Sequence, residues 1–188
     1  MNQTLALPNE AILATQSSTD AAAFAAIYDH YFARVYNYIR YRVQDADLSD
    51  DLTAQVFERA LLHIGQYQQD KAPLAAWLFT IARNAVNDHF RAQKRRRWLS
   101  LDLLREWSSN DPQPGDVIAD NDLQDNLLAA VACLGNRERD LIGLKFAAGL
   151  TNRAIAELTG LSESNVGIIL FRTVRRLRAE LEAQGVER

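Results

Sequence analysis

Apolar residues recur three or four positions apart along most of the chain, and no segment alternates apolar with polar residues over a strand's length. This spacing places the apolar side chains on one face of an α-helix, so the pattern predicts an all-α fold. Two such helices fill the first third of the chain, and a polar loop, Gly65 to Pro73, follows them. Their apolar positions are Phe24, Ile27, Tyr28, Tyr31, Val35, Tyr38 and Ile39, and then Leu52, Val56, Phe57, Ala60, Leu61 and Ile64.

A long helix predicted from about Leu74 to Trp98 has two stripes of different character. The first is apolar and is expected to be buried: Leu74, Leu78, Ile81, Ala82 and Ala85. The second is mixed and leads into a basic run, with Trp77, Thr80, Asn84, Asn87 and Arg91 followed by Lys94, Arg95, Arg96 and Arg97. An aromatic ring beside amides and arginines can stack on unpaired bases and hold a phosphate backbone. The alternative interpretation is a solvated face with Trp77 half buried.

Two short helices joined by a sharp turn are predicted near the end of the chain. Thr151 and Ser162 can cap them, because a hydroxyl accepts a hydrogen bond from an otherwise unpaired backbone N–H. Gly160 suits the positive φ of the turn, and Ala156 is small where the helices cross closely. The buried stripe of the second helix is Val166, Leu170, Thr173 and Leu177. These features are typical of a helix-turn-helix, whose second helix enters the DNA major groove, although an ordinary helical hairpin is the alternative.

Residues 99–122 divide the chain into two helical domains. They include the loop-forming segment from Ser108 to Gly115, and six acidic residues against one basic residue give them a net charge of −5. Residues 20–98 carry +2 and residues 123–188 carry +1, although the whole chain carries −3. The predicted organisation is a disordered lead-in at 1–19, a domain at 20–98, a flexible acidic linker at 99–122 and a domain at 123–188.

The composition is that of a globular protein, because 48% of the 188 residues are hydrophobic. No apolar run reaches the length of a membrane span, and the N-terminus lacks the basic and apolar segments of an export signal. Cys133 is the single cysteine and has apolar neighbours, so it is expected to be a small core residue. We expect a cytoplasmic protein without membrane insertion.

Residues 22–97 and 123–182 resemble the extracytoplasmic-function (ECF, group IV) sigma factors, the small initiation subunits of bacterial RNA polymerase. The resemblance rests on the segments from Phe24 to Tyr31, from Asp50 to Phe57 and from Trp77 to Arg91, and on the helix-turn-helix. The family's regions 2 and 4 have this order across a linker. The resemblance implies a protein that binds core RNA polymerase, recognises the −10 and −35 promoter elements and helps to open the duplex.

The resemblance also assigns roles to three groups of residues. The clamp of the largest polymerase subunit is expected to bind Asp50, Asp51, Leu52, Gln55 and Phe57. Unpaired bases of the −10 element, one of them flipped into the loop of residues 65–73, are expected to meet Tyr67, Trp77, Asn84, Asp88, Arg91, Lys94 and Arg95. The −35 element is expected to be read by Ser162, Ser164, Asn165, Gly167, Ile168, Phe171, Arg172, Arg175 and Arg176.

The sequence departs from the family pattern at two places. Ala54 and Gln55 stand where the family more often has glutamine and an acidic residue. After Val166, basic or hydroxyl residues are usual, but residues 167–169 are Gly-Ile-Ile. Few hydrogen bonds to the bases of the −35 element are therefore expected. Ile168 would give an apolar contact to a thymine methyl, and Arg172 and DNA shape would contribute more to specificity.

A regulator that binds duplex DNA alone is the main alternative, because residues 135–160 also resemble the DNA-binding end of LuxR-type activators. The first domain, however, resembles neither a receiver nor a ligand-sensing domain. An enzyme is not expected, since the histidines at 30, 63 and 89 lack ligand spacing and no Gly-rich phosphate loop is present. No cofactor or metal is implied. The implied partners are the clamp and flap of core RNA polymerase, promoter DNA and, as is common in the family, an anti-sigma factor.

Overall fold

The described part of the chain, residues 7, 9–17, 19–103 and 122–183 of a computed structural model, consists of helices and turns without a strand. The all-α prediction is confirmed. The α-helices are α1 (Glu10–Gln16), α2 (Ala21–Val43), α3 (Ala46–His63), α4 (Leu74–Leu103), α5 (Asp122–Ala132), α6 (Asn136–Ile142), α7 (Asn152–Thr159) and α8 (Glu163–Ala183). A 3-10 turn, Ile64–Gln66, follows α3, and a π-helical turn, Gly143–Ala147, follows α6.

Helices α2, α3 and α4 form the first domain. Asp20 and Asp45 start α2 and α3, because their carboxylates accept hydrogen bonds of 2.8 Å from the backbone N–H groups of Ala22 and Leu48. Gln44 ends α2 in the left-handed conformation, with φ 62°. The core residues are at most 4% exposed: Ile27, Tyr31, Val35, Tyr38, Ile39, Leu52, Val56, Phe57, Ala60, Leu74, Leu78, Phe79, Ala82, Ala85 and Val86.

Two residues of the predicted apolar helix faces lie on the surface of this domain. Tyr28 is 38% exposed and Leu61 is 50% exposed, so these faces are not buried across their whole width. The apolar stripes of α2 and α3 are wider than the surface that the neighbouring helices cover. Phe79 and Val86, which the predicted stripe of α4 did not include, are fully buried instead.

The predicted disordered lead-in is wrong for residues 10–16, which form α1. This helix is held by burial of Ala14 and by Glu10, whose Oε1 accepts a 2.7 Å hydrogen bond from the hydroxyl of Tyr31. The predicted linker starts too early, because α4 continues to Leu103. Residues 104–121, which include most of that linker, lie outside the described residues.

Helices α5 to α8 form the second domain, and its local predictions are confirmed. The hydroxyls of Thr151 and Ser162 accept bonds of 3.2 and 3.3 Å from the backbone N–H groups three residues on. Gly160 has φ 73° and ends α7, so α7 and α8 meet at 108°. The four buried residues of α8 are the predicted Val166, Leu170, Thr173 and Leu177. Cys133, however, is exposed, so its expected core position is wrong.

The two domains pack against each other, which the prediction of a flexible connection did not anticipate. Helix α2 packs on α6 and the Gly143–Ala147 turn, and α4 packs on α7. At the centre, the Asp140 carboxylate forms an ion pair with Arg42 and accepts bonds from the Tyr38 hydroxyl at 2.8 Å and from Arg83 Nε at 3.0 Å. The Asp140 side chain is 11% exposed, so one carboxylate of the second domain ties α2 and α4 together in a nearly dry contact.

The surroundings of Asp140 support this contact. Burial, and next the negative charge of Asp140, raises the pKa of Tyr38 well above its ordinary value, so the hydroxyl stays protonated and donates. Arg83 also donates to the Leu158 carbonyl at 3.2 Å, and Arg34 donates to the Ala147 carbonyl at 3.3 Å. Both carbonyls lie at C-terminal ends of helical segments, where the partial negative charge favours a cation.

Candidate polymerase and promoter interfaces

The exposed face of α4 carries most of the residues predicted for the −10 element. Asn84 is exposed, and Trp77 is half-buried with its ring centroid 5.5 Å from that of Tyr67. Asn87 is less available, because its Oδ1 accepts a 3.2 Å bond from Arg42. Further along, a groove of about 740 Å³ brings together Asp88, Arg91, Lys94, Arg95 and Trp98. The 66% exposure of Trp98 adds an aromatic side chain that the predicted site lacked.

The loop before α4 encloses a cavity of about 150 Å³. Its lining residues are Gln66, Tyr67, Gln68, Lys71, Ala72 and Trp77. The Tyr67 hydroxyl donates to the Ala72 carbonyl at 2.9 Å, and the Lys71 N–H donates to the Gln68 carbonyl at 3.1 Å, so the loop is closed by its own hydrogen bonds. Two aromatic rings with amides and an ammonium group between them can stack on a planar polar ring and bond to its edge. The structure thus brings Tyr67 and Trp77 together in one concave site.

Helix α8 presents an exposed face that is partly apolar. Ile168 and Phe171 are 48% and 66% exposed, and the Arg175 guanidinium lies 5.9 Å from the Phe171 ring centroid. Val174, which the sequence did not single out, is 39% exposed on the same helix. The remaining predicted −35 residues Ser162, Ser164, Asn165 and Arg172 are exposed, and Gly167 is half-buried. The apolar residues of this face can contact thymine methyl groups, and the exposed Arg172 can donate hydrogen bonds to bases.

Arg176 is held within the second domain. It donates to both carboxylate oxygens of Glu138 at 2.8 Å and to the Cys133 carbonyl at 3.3 Å. Glu138 also accepts from the Gly135 N–H at 2.9 Å, and this bond is the main reason that the pKa of Glu138 is lowered, with Arg176 adding to it. The structure therefore shows Arg176 fastening α8 to α6, and its predicted contact with DNA stays a prediction.

One residue predicted to bind polymerase, Phe57, packs beneath an exposed aromatic pair of α2. Asp50, Asp51 and Gln55 are exposed on α3, whereas Leu52 and Phe57 are buried beneath them. The Phe57 ring centroid lies 4.6 Å from that of Tyr28 and 6.3 Å from that of Phe32. Tyr28 and Phe32 are 38% and 37% exposed, so the aromatic surface is theirs. Sequence reasoning missed Phe32, although two aromatic residues at i and i+4 of one helix are a signal that could have found it.

Within residues 7, 9–17, 19–103 and 122–183, no three His, Cys, Asp or Glu side chains are grouped to hold a metal ion. In the same described residues, no single helix is long and apolar enough to cross a membrane, and only α7 and α8 taken together across their bend reach that length and composition.

Comparison with known proteins first defines the class. The family model of Sigma-70 region 2 matches residues 27–96, and that of Sigma-70, region 4 matches residues 124–177. The two matches coincide with the two helical domains, so the fold is that of a sigma factor. The RpoE sigma factor of Bartonella quintana, solved with the anti-sigma factor NepR, has the same fold: TM-score 0.64 and 22% identity, covering 88% of this chain and 98% of that one.

Two curated relatives define the group. The ECF RNA polymerase sigma factor SigM of Bacillus subtilis is 30% identical over 154 residues, which are 81% of this chain and 91% of SigM. The ECF RNA polymerase sigma factor BldN of Streptomyces coelicolor is 34% identical over 158 residues, which are 84% of this chain and 60% of BldN. The chain therefore belongs to the ECF sigma factors, as its sequence predicts, and the LuxR-type alternative is not favoured.

Proposed function

We propose that this sigma factor directs core RNA polymerase to promoters, with the first domain opening the −10 element and the second domain reading the −35 element. The observation that carries the proposal is the cavity beside Trp77, on the helix whose later turns carry the exposed Asn84 and the groove lined by Arg91, Lys94 and Arg95. A flipped base in the cavity and phosphates along the groove would use both features at once. The protein would act in the cytoplasm and without enzymatic chemistry of its own.

The polymerase contact proposed for this chain is the surface of α2 and α3. The rings of Tyr28 and Phe32 are exposed over Phe57, and α3 also exposes the acidic Asp50 and Asp51, so the two helices offer both apolar and charged groups. Protein interfaces are commonly built in this way. We assign this surface to the clamp of the largest polymerase subunit and the second domain to the flap. Because RpoE was solved with an anti-sigma factor, we also propose an anti-sigma partner for this chain.

Run-off transcription on genomic DNA fragments tests the proposal as a whole. We expect the purified protein to direct core RNA polymerase to discrete start sites that core polymerase alone does not use. The free protein should bind the same fragments weakly at physiological salt. Transcription without discrete starts, or tight sequence-specific binding by the free protein, would contradict the proposed function.

Asn84→Ala is expected to impair duplex opening and to leave folding intact. Asn84 is exposed on α4, so its removal creates no cavity in the core. Permanganate footprinting at the −10 element should show several-fold fewer reactive thymines, while the affinity for core polymerase stays unchanged. Gln93→Ala is the matched control, because Gln93 is exposed on the same helix but lies nine residues, or about two and a half turns, from Asn84 and so on the opposite face. An equal loss of polymerase binding and footprint would show that Asn84 has a structural role.

Arg172→Ala is expected to lower −35-dependent transcription about tenfold, which corresponds to about 1.4 kcal/mol and to the lower range of a bidentate contact with guanine. Arg172 is exposed on α8. Arg153→Ala is the control, because Arg153 is exposed on α7 and pairs only with exposed Glu157. Transcription should be compared on promoters with intact and scrambled −35 elements. If Arg172→Ala lowers transcription equally on both, Arg172 does not read the element.

A further inference from the structure

Helix α1 packs on the first domain where the loop of residues 65–73 begins. It contacts α2, α4 and the Ile64–Gln66 turn. Ala14 and Ser17 are 2% and 5% exposed, and Leu13 packs on the same core. An isolated helix of this length is not stable in water, so α1 depends on these contacts for its position. In return, α1 supports the turn that leads into the loop.

Glu10 connects α1 to Tyr31 of the domain by a hydrogen bond, and its charge also acts on Tyr67. Its Oε1 accepts the 2.7 Å bond from the hydroxyl of Tyr31, which is fully buried. Burial, and next the Glu10 contact, raises the pKa of Tyr31; burial, and next the negative charge of Glu10, also raises the pKa of Tyr67. Both hydroxyls therefore remain donors at neutral pH. Tyr67 donates to the Ala72 carbonyl, which closes the loop around the cavity.

We propose that Glu10 is a positioning residue for base capture, because it fixes α1 on Tyr31 and thereby holds the Ile64–Gln66 turn and the cavity walls formed by Tyr67 and Trp77. This role rests on the proposed function, which assigns the cavity to an unpaired promoter base. Glu10 does not line the cavity and acts through its neighbours. Flipping a base out of the duplex costs a few kcal/mol, and stacking on the Tyr67 and Trp77 rings offsets part of that cost. If a ring is displaced, stacking weakens and the fraction of bases held in the cavity falls.

The test uses the full-length protein with Glu10→Ala, Glu10→Gln and Tyr31→Phe. Glu10→Ala removes the acceptor and Tyr31→Phe removes the donor, whereas Glu10→Gln keeps a carbonyl oxygen that can accept the bond. Gln16→Ala is the matched control, because Gln16 is exposed at the end of the same helix. Hydrogen exchange of the backbone amides of residues 65–72 in the free protein reports the loop. Fluorescence of 2-aminopurine in the −10 element, bound with core polymerase, reports the flipped base.

We expect Glu10→Ala and Tyr31→Phe to speed exchange at residues 65–72 and to lower the 2-aminopurine signal several-fold, while Glu10→Gln and Gln16→Ala stay near the unsubstituted protein. Affinity for core polymerase should not change. Unchanged exchange in Glu10→Ala, or a loss of polymerase affinity equal to the loss of signal, would overturn the positioning role. The unsubstituted protein could give no flipped-base signal while Glu10→Ala and Tyr31→Phe still exchange faster than Glu10→Gln and Gln16→Ala. In that case the proposed function fails, but the link from Glu10 to the loop stands.

Discussion

Asp140→Asn is expected to separate the two domains. The substitution keeps the size of the side chain but leaves Arg42, whose side chain is 6% exposed, and Arg83 without their counter-charge. Removing one partner from a buried ion pair costs about 3–5 kcal/mol when the remaining charge stays buried. Opening the contact between α2 and α6 returns both guanidinium groups to water, so the open arrangement becomes the better state. The docked arrangement of the unsubstituted chain should be lost.

Separation can be measured as a distance between two spin labels. Cys133 is exposed and is the only cysteine of the chain, so it takes one label in the second domain; Glu58→Cys on the exposed face of α3 takes the other. We expect a narrow distance distribution that becomes longer and broader with Asp140→Asn. Glu157→Gln is the control, because it removes an exposed ion pair of the same domain. An unchanged distribution in Asp140→Asn would show that the charges do not hold the domains together.

Gly143→Ala is expected to disturb the same contact by sterics alone. A Cβ at Gly143 would lie 2.7 Å from Cδ2 of Tyr38, and this ring is fully buried and fixed by the bond to Asp140. The ring cannot move aside, so overpacking should cost the docked state about 1–3 kcal/mol. The same labels should report a larger open fraction.

Gly167→Ala is the matched control for this substitution. It also adds one methyl group to a helix, but the nearest atom, Asn152 Nδ2, would be at an ordinary 3.7 Å. Gly167→Ala should therefore leave the distance distribution unchanged, with helix propensity favouring it by up to about 1 kcal/mol. Equal distributions for the two variants would mean that Tyr38 adapts to the added methyl group.

The sequence predicts best where the determining interactions are local. The caps at Thr151 and Ser162, the left-handed Gly160 and the buried stripe of α8 all follow from residues within a few positions of one another, and all are observed. It is less predictable which residues of an apolar stripe remain exposed to solvent. Tyr28 continues the apolar stripe of α2, but whether a neighbouring helix covers it depends on packing angles that the stripe does not specify.

The unpredicted features depend on partners distant in sequence. Asp140 meets Arg42 and Arg83 across 98 and 57 positions, and nothing in the local sequence of α6 distinguishes this carboxylate from a solvated one. The short α1 likewise owes its place to Tyr31, 21 positions beyond Glu10. The cavity beside Trp77 was suggested only by resemblance to a family, because its walls come from a loop whose closure by the Tyr67 hydroxyl has no sequence pattern.

Under the proposed function, docking of the domains would also set an energetic threshold for promoter recognition. The −10 and −35 elements are about 25 base pairs apart, or roughly 85 Å at about 3.4 Å per base pair. In the docked arrangement, however, Arg83, the neighbour of Asn84, touches Leu158 at the end of α7. If Asn84 and α8 contact the two elements as proposed, one docked molecule cannot span both.

Polymerase and promoter can then bind only the molecules in which the domains are undocked. Their apparent affinity is the intrinsic affinity multiplied by the undocked fraction. If docking is worth about 3 kcal/mol, roughly one molecule in 150 is open, since each 1.4 kcal/mol is a factor of ten. A partner that adds to the docked contact would lower that fraction further without touching DNA, and a partner that competes for Asp140 would raise it. Three residues, Arg42, Arg83 and Asp140, would thus set how much of the protein is ready for transcription.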